Sequence, residues 1–228
     1  MDASAVALLM LADSRLPSGG HAHSGGVEPA MTTGTVRDLD DLDVFLRGRL
    51  RTVGTVSAAV AAATCHRLPR LASDELWRRL DAETDARTAS PAQRAASRHQ
   101  GRALLRTGCV AWPARSLTSL AAYAADPHHA VVLGAVGAAA GCPPAGVARV
   151  AAYLAVSGPA SAALRLRGLD PLAVQALLAT LAGPIENVAA AVAAAAAAPL
   201  DDLPCPTAPR LDLLAEIHRC TEVRLFAS

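Results

Sequence analysis

The sequence predicts an all-α protein, and three observations carry that expectation. Hydrophobic residues make up 52% of the 228 but aromatics only 3%, so a core must be built from Ala, Leu and Val. Alanine is the strongest helix former, and β-branched residues are a minority here. A capping residue followed by proline recurs at Ser90-Pro91, Asp126-Pro127 and Asp170-Pro171, a pairing that opens helices. No stretch alternates apolar and polar residues as a half-buried strand would. With no internal repeat, a single all-helical domain over residues 1–228 is expected.

The elements follow in order. SAVALLMLA (4–12) is apolar almost all round and reads as a short buried helix. It stops before Pro17, and SGG continues the break, so 1–20 form a helix and turn. The next helix is expected from near Ser24 to Gly34. VRDLDDLDVFLRGRL spaces Leu42, Leu46 and Leu50 four apart, with Phe45 and Val53 beside them, which is an amphipathic helix that can run on through SAAVAAATCHRL. Ser73 caps SDELWRRLDAETDAR, with Asp74 and Glu75 in its first turn. Ser90 caps SPAQRAASRHQGRALLR, and Asp126 opens a helix that ends by Gly141. AGVARVAAYLAVSGPASAALRLR is expected to be bent or interrupted at Gly158-Pro159, and the segment from Asp170 to Pro199 to kink at Gly183-Pro184. Residues 200–228 read as a proline-rich connector (LDDLPCPTAP), a last helix and a tail, RLFAS.

Composition narrows the function. The net charge is +1 with both signs mixed, which lacks the basic block of a nucleic-acid binder. All 21 basic residues are arginine, so neither a P-loop lysine nor a Schiff-base lysine is available. Five scattered cysteines without C-x-x-C suit reduced thiols in the cytosol. The chain opens with no charged-then-apolar leader. The longest apolar runs are too short and too alanine-rich to read as membrane spans. A cytoplasmic protein is the expectation.

GGHAHSGG (19–26) is the densest local signal. As a phosphate loop it is weak, because it follows a helix and matches neither G-x-G-x-x-G nor G-K-[ST]. As a metal site, His21 and His23 lack two further matched ligands, although a transient contact with a soft divalent ion stays open. As a turn, its glycines admit positive φ and close approach, which suits a surface read by another protein. The adjacent His128 and His129 read as exposed polar residues, and His66 and His99 have no visible companion. No nucleophile elbow of the G-x-S-x-G kind appears, so nothing points to an enzyme. Gly134, Gly137 and Gly141 in GAVGAAAG lie on one side of a helix and imply close packing, within the chain or across a dimer.

LLMLADSRLPSGGHAHSGGVEPAM, SRHQGRALLR, HHAVVLGAVGAAAG and EVRLFAS together resemble the urease accessory protein UreF family, in its order and at similar spacing. The resemblance implies an all-α homodimer without catalytic activity or a cofactor of its own. It implies as partners the D (or H) type accessory protein, the G-type GTPase and apo-urease, with nickel handled by the assembly. Asp13, Leu16, Pro17, Gly19, Gly20, Ser24, Gly25, Gly26 and Glu28 match the family's first motif. Arg165 stands at a usual Lys or Arg position, and His218, Arg224, Leu225, Phe226 and Ser228 match the C-terminal motif. These are the expected partner-binding residues. An exposed tail would then bury Leu225 and Phe226 on docking. The sequence departs from the family where His21 replaces a usual Phe or Tyr, and where LRGLDP follows Arg165. The resemblance leaves two further roles open: a metallochaperone using His21 and His23, or a regulator of the GTPase.

Overall fold

Helices α4 (Thr55–Arg67) and α9 (Pro144–Arg167) pack along each other at the centre of the computed structural model, which describes residues 3–69, 72–221, 225 and 226. The contact is built from small side chains: Ala58, Ala59, Ala61 and Ala62 of α4 and Ala148, Ala152 and Ala160 of α9 are all but inaccessible. With no large side chains between them, two such helices close to a dense contact. Helices α8 (His129–Ala139) and α11 (Ala182–Ala194) pack against α4, and α6 (Pro91–Ala111) lies on α8. Around this centre, α1 (Ser4–Ala12), α2 (Val27–Thr32) and α10 (Pro171–Thr180) rest on α9, while α5 (Asp74–Ala86) meets α7 (Arg115–Tyr123). The last helix, α12 (Pro209–Arg219), bridges α6 and α2. There is no strand among the described residues, and the fold is all-α.

Local chemistry sets most boundaries. Ser73, Ser90 and Asp170 cap α5, α6 and α10, each side chain accepting a backbone N–H of its first turn, with proline opening the last two. Helix α3 (Leu39–Arg49) runs into α4 through a single π turn, Leu50–Gly54, forming one continuous rod as the leucine spacing suggested.

Several expectations need correction. Helix α1 is not buried all round: Ala7 and Leu11 face the core, but Val6, Leu9 and Met10 are exposed. Asp126-Pro127 does not open α8, whose N-cap is His128. The cause is Gly101 of α6, where the Pro127 carbonyl occupies the space of a Cβ, so the chain enters α8 later; Asp126 pairs with Arg102 at 2.8 Å instead. Helix α9 is not interrupted at Gly158-Pro159 and continues from Pro144 to Arg167. The chain after Asp170 breaks at Leu181, with a bend of 41°, and Pro184 falls in the first turn of α11. Helix α7 went unforeseen because its N-cap, Ala114, offers no side-chain acceptor.

The three glycines of GAVGAAAG divide. A Cβ on Gly134 would lie 2.4 Å from the Ala61 carbonyl of α4, and one on Gly137 2.4 Å from Val147 of α9. Both are engaged in internal packing. Gly141 (φ 72°) faces open space and ends the helix, with Cys142 N–H on the Gly137 carbonyl and Gly141 N–H on Ala138, the Schellman arrangement. Helix α9 is long and apolar enough to cross a membrane by length and composition, yet it is the central helix of the core and much of it is buried.

Candidate functional site

The first motif is a turn held at both ends. Asp13 ends α1 and accepts from the backbone and guanidinium of Arg15, which together hold its carboxyl down at about 2. Leu16 is half-buried against the core, and the Pro17 carbonyl accepts from Thr107 of α6 at 2.8 Å. Gly19, Gly25 and Gly26 have φ of 76°, 59° and 87°, which only glycine adopts freely, and Gly20 opens a single 3-10 turn. Beyond them the chain enters α2, carrying Glu28 into the interior with only 7% of its surface exposed.

Glu28 is the centre of the site. Oε1 accepts from the Leu225 N–H at 2.8 Å, and Oε2 accepts from the Phe226 N–H at 3.0 Å and from His218 Nε2 at 3.0 Å. One buried carboxylate thus clasps the last helix and the tail to the first motif. Arg165 of α9 closes the clasp from outside: its two Nη groups donate to the His21 carbonyl at 3.1 and 3.2 Å, and its guanidinium sits 4.4 Å from the centre of the Phe226 ring. Such a cation–π contact at the surface contributes about 0.5–1 kcal/mol.

The structure therefore brings together residues that are nearly 200 positions apart: the turn, Glu28, Arg165, His218, Leu225 and Phe226. Arg224 and Ser228 lie outside the described residues. The tail is only partly free, contrary to the expectation of two exposed anchors. Phe226 is already buried at 7% within its own chain, and Leu225 alone is presented, 75% exposed. Leu213 and Ile217, one turn apart on α12, are exposed as well, at 65% and 54%, on the helix that supplies His218 to the clasp.

The histidines part company. His21 is exposed, while His23 is buried with Nε2 at 3.2 Å from Nδ1 of His99, a companion invisible in the sequence. Ser24 is also buried. Among the described residues, no three His, Cys, Asp or Glu converge as a metal site would need.

His128 is buried, contrary to expectation. The Asp85 carboxylate can only accept, so the neutral ring donates from Nε2 at 2.8 Å and takes the Ser97 hydroxyl proton at Nδ1, 3.0 Å away. The Ser97 oxygen accepts in turn from the His129 N–H. Burial, with Arg98 nearby, lowers the His128 pKa against the pull of Asp85. Ser–His–Asp is the membership of a nucleophilic relay, but this ring has no exposed surface and the hydroxyl is engaged twice. It ties α5, α6 and α8 together, with Arg98 on Asp81 and Asp85 beside it.

The most specific cluster of this all-α chain is thus a self-clasping turn and tail. Comparison with known proteins gives the class. The UreF family profile matches residues 36–182. The chain is 47% identical to the urease accessory protein UreF of Mycobacterium sp. strain JLS over 97% of both chains, and 47% identical to that of Mycolicibacterium vanbaalenii over 99% of both. It is 44% identical to that of Mycobacterium tuberculosis over 99% of both. The chain belongs to the UreF family of urease accessory proteins.

Proposed function

We propose that this chain is a non-enzymatic scaffold of urease maturation, working in the cytoplasm as a dimer that joins the D(H)-type accessory protein to the G-type GTPase. Through this assembly nickel is directed to apo-urease. The observation that carries the reading is the Glu28 clasp: it fixes the tail and α12 against the first motif while Leu225, and Leu213 and Ile217 of α12, stay exposed. A rigid platform that presents apolar side chains is what a partner's groove recognises. The D-type partner is the occupant, and the exposed face of Arg165 meets the GTPase side. Gly134 and Gly137 are occupied within the chain, so a second copy must be met by another surface.

The metallochaperone alternative has thinner support, since His21 points to solvent while His23 is turned inward to His99. The test is light scattering after size-exclusion chromatography of the protein mixed with cognate D-type and G-type partners, the latter with GTP, Mg²⁺ and Ni²⁺. A complex holding two copies of the chain is expected. Deleting residues 224–228 should abolish D-type binding and leave helical content unchanged. Retained binding by the truncated chain refutes the docking role.

A further inference from the structure

A cleft of about 230 Å³ opens between the first motif, the end of α3, α6 and α8. Arg49, Ser57, Gln93, Gln100 and His129 line it. The position of Arg49 in it follows from a peculiarity of α9. Pro159 has no N–H, so the Ala155 carbonyl one turn earlier loses its helical donor. Arg49 supplies one: its Nε donates to the Ala155 oxygen at 2.9 Å. This bond explains why α9 passes through Pro159 unbroken. It also fixes the guanidinium, which Gly25 admits closely, a Cβ there lying 3.2 Å from Cζ and Nη2.

Among the described residues, the Nη edge of Arg49 has no protein acceptor and no carboxylate forms an ion pair with it. Burial brings its pKa down to about 10. The other cation of the cleft, Arg87, is engaged by Glu83 and by the carbonyls of Leu200, Asp201 and Leu203. Asp212, an acid in the lining, is held above its ordinary value by burial. Burial keeps His129 neutral, with a pKa of about 4. A fixed guanidinium fork, unpaired among the described residues, with two amides and a hydroxyl in the same lining, is a receptor for a planar oxyanion; the Asp212 carboxylate shares the cleft without pairing with it. The volume falls below the usual range of about 300–1,000 Å³ for drug-sized ligands, which suits a small ion.

We propose that this cleft binds a small planar oxyanion, a free carboxylate or bicarbonate, through the Nη groups of Arg49. The site goes beyond the scaffold role and stands whether or not the partners dock as described. Ligand-observed NMR of ¹³C-acetate and ¹³C-bicarbonate, titrated into the full chain at constant ionic strength in chloride, tests it. Saturable broadening in the millimolar range is expected, with sulfate and chloride competing poorly. Arg49→Gln should weaken binding about tenfold or more, since it removes the fork and the charge. Pro159→Ala should weaken it severalfold while leaving the charge in place, because the restored N–H takes the Ala155 carbonyl and releases the Arg49 anchor. Where Arg49→Gln fails to fold by circular dichroism, Arg49→Lys replaces it. No saturable signal, or the same affinity in wild type and both variants, overturns the proposal. So does equal competition by chloride or sulfate.

Discussion

Glu28 holds three donors at once, and truncating it would leave His218 and the two tail amides facing a buried gap. Each buried donor without an acceptor costs about 1–3 kcal/mol, unless the tail peels away into water. Peeling is the cheaper outcome. Glu28→Ala should therefore lower the melting temperature modestly and make the tail a site of early proteolysis, which mass mapping of a limited digest would read. Unchanged tail protection would mean that Arg165 and the Phe226 packing suffice. The histidines give a pH prediction. His128 and His129 are both shifted below the ordinary value of 6.5, His129 to about 4, so the unfolded chain binds more protons between those values. Their contribution is complete above about pH 6.5 and falls as the pH drops toward 4, by no more than about 3 kcal/mol for His129. Urea denaturation at pH 7.5 and 5.0 should show this loss, and His129→Gln should flatten it. Little of this was legible in the sequence. Glu28 stood out within its motif, but nothing local announces a partner 190 residues away, and His23 and His99 meet only because α6 lies beside the turn.

Among the elements, α8 is the most demanding. Gly134→Ala would drive a Cβ to 2.4 Å from the Ala61 backbone oxygen, which cannot swing aside as a side chain can, so α4 and α8 must part. Overpacking of this kind costs about 1–3 kcal/mol. Gly141→Ala meets no atom within 4 Å and carries only the left-handed backbone penalty of about 1–2 kcal/mol. Chemical denaturation should rank Gly134→Ala as the more damaging, with both below wild type; the reverse order would place the α4–α8 contact elsewhere. Boundaries set within a few residues could be read in advance. Ser73, Ser90 and Asp170 cap as their side chains suggest, since a cap needs only its own first turn. Asp126 fails because Gly101, far off in sequence, draws Pro127 in. The exposed side of α1 was hidden for another reason: a helix apolar all round carries no period to say which side faces out.

At the scale of the whole molecule, fold class followed from composition, and family from motif order, but the arrangement of the site followed from neither. The two motifs at opposite ends of the sequence meet because α2 and α12 are neighbours in space. Apolar side chains are exposed on α1 (Val6, Leu9, Met10) and on α12 (Leu213, Ile217). Replacing Leu9 and Met10 with Glu should keep the chain folded and, where α1 is the face used by a second copy, convert the dimer to a monomer by light scattering. Unchanged mass would assign self-association to another surface.

The clasp also imposes a timetable. Synthesis runs from the first motif to the tail at about 5–20 residues per second, and domains begin to organise as they emerge. Glu28 is made early, but two of the amides it accepts belong to residues 225 and 226. For nearly the whole of its manufacture the chain carries an acidic group prepared for contacts that do not yet exist. A chain broken off before Phe226 can assemble its core around α4 and α9, yet leaves that group unanswered. On the proposed docking role, a partner that grips residues 225 and 226 would engage only chains synthesised at least that far.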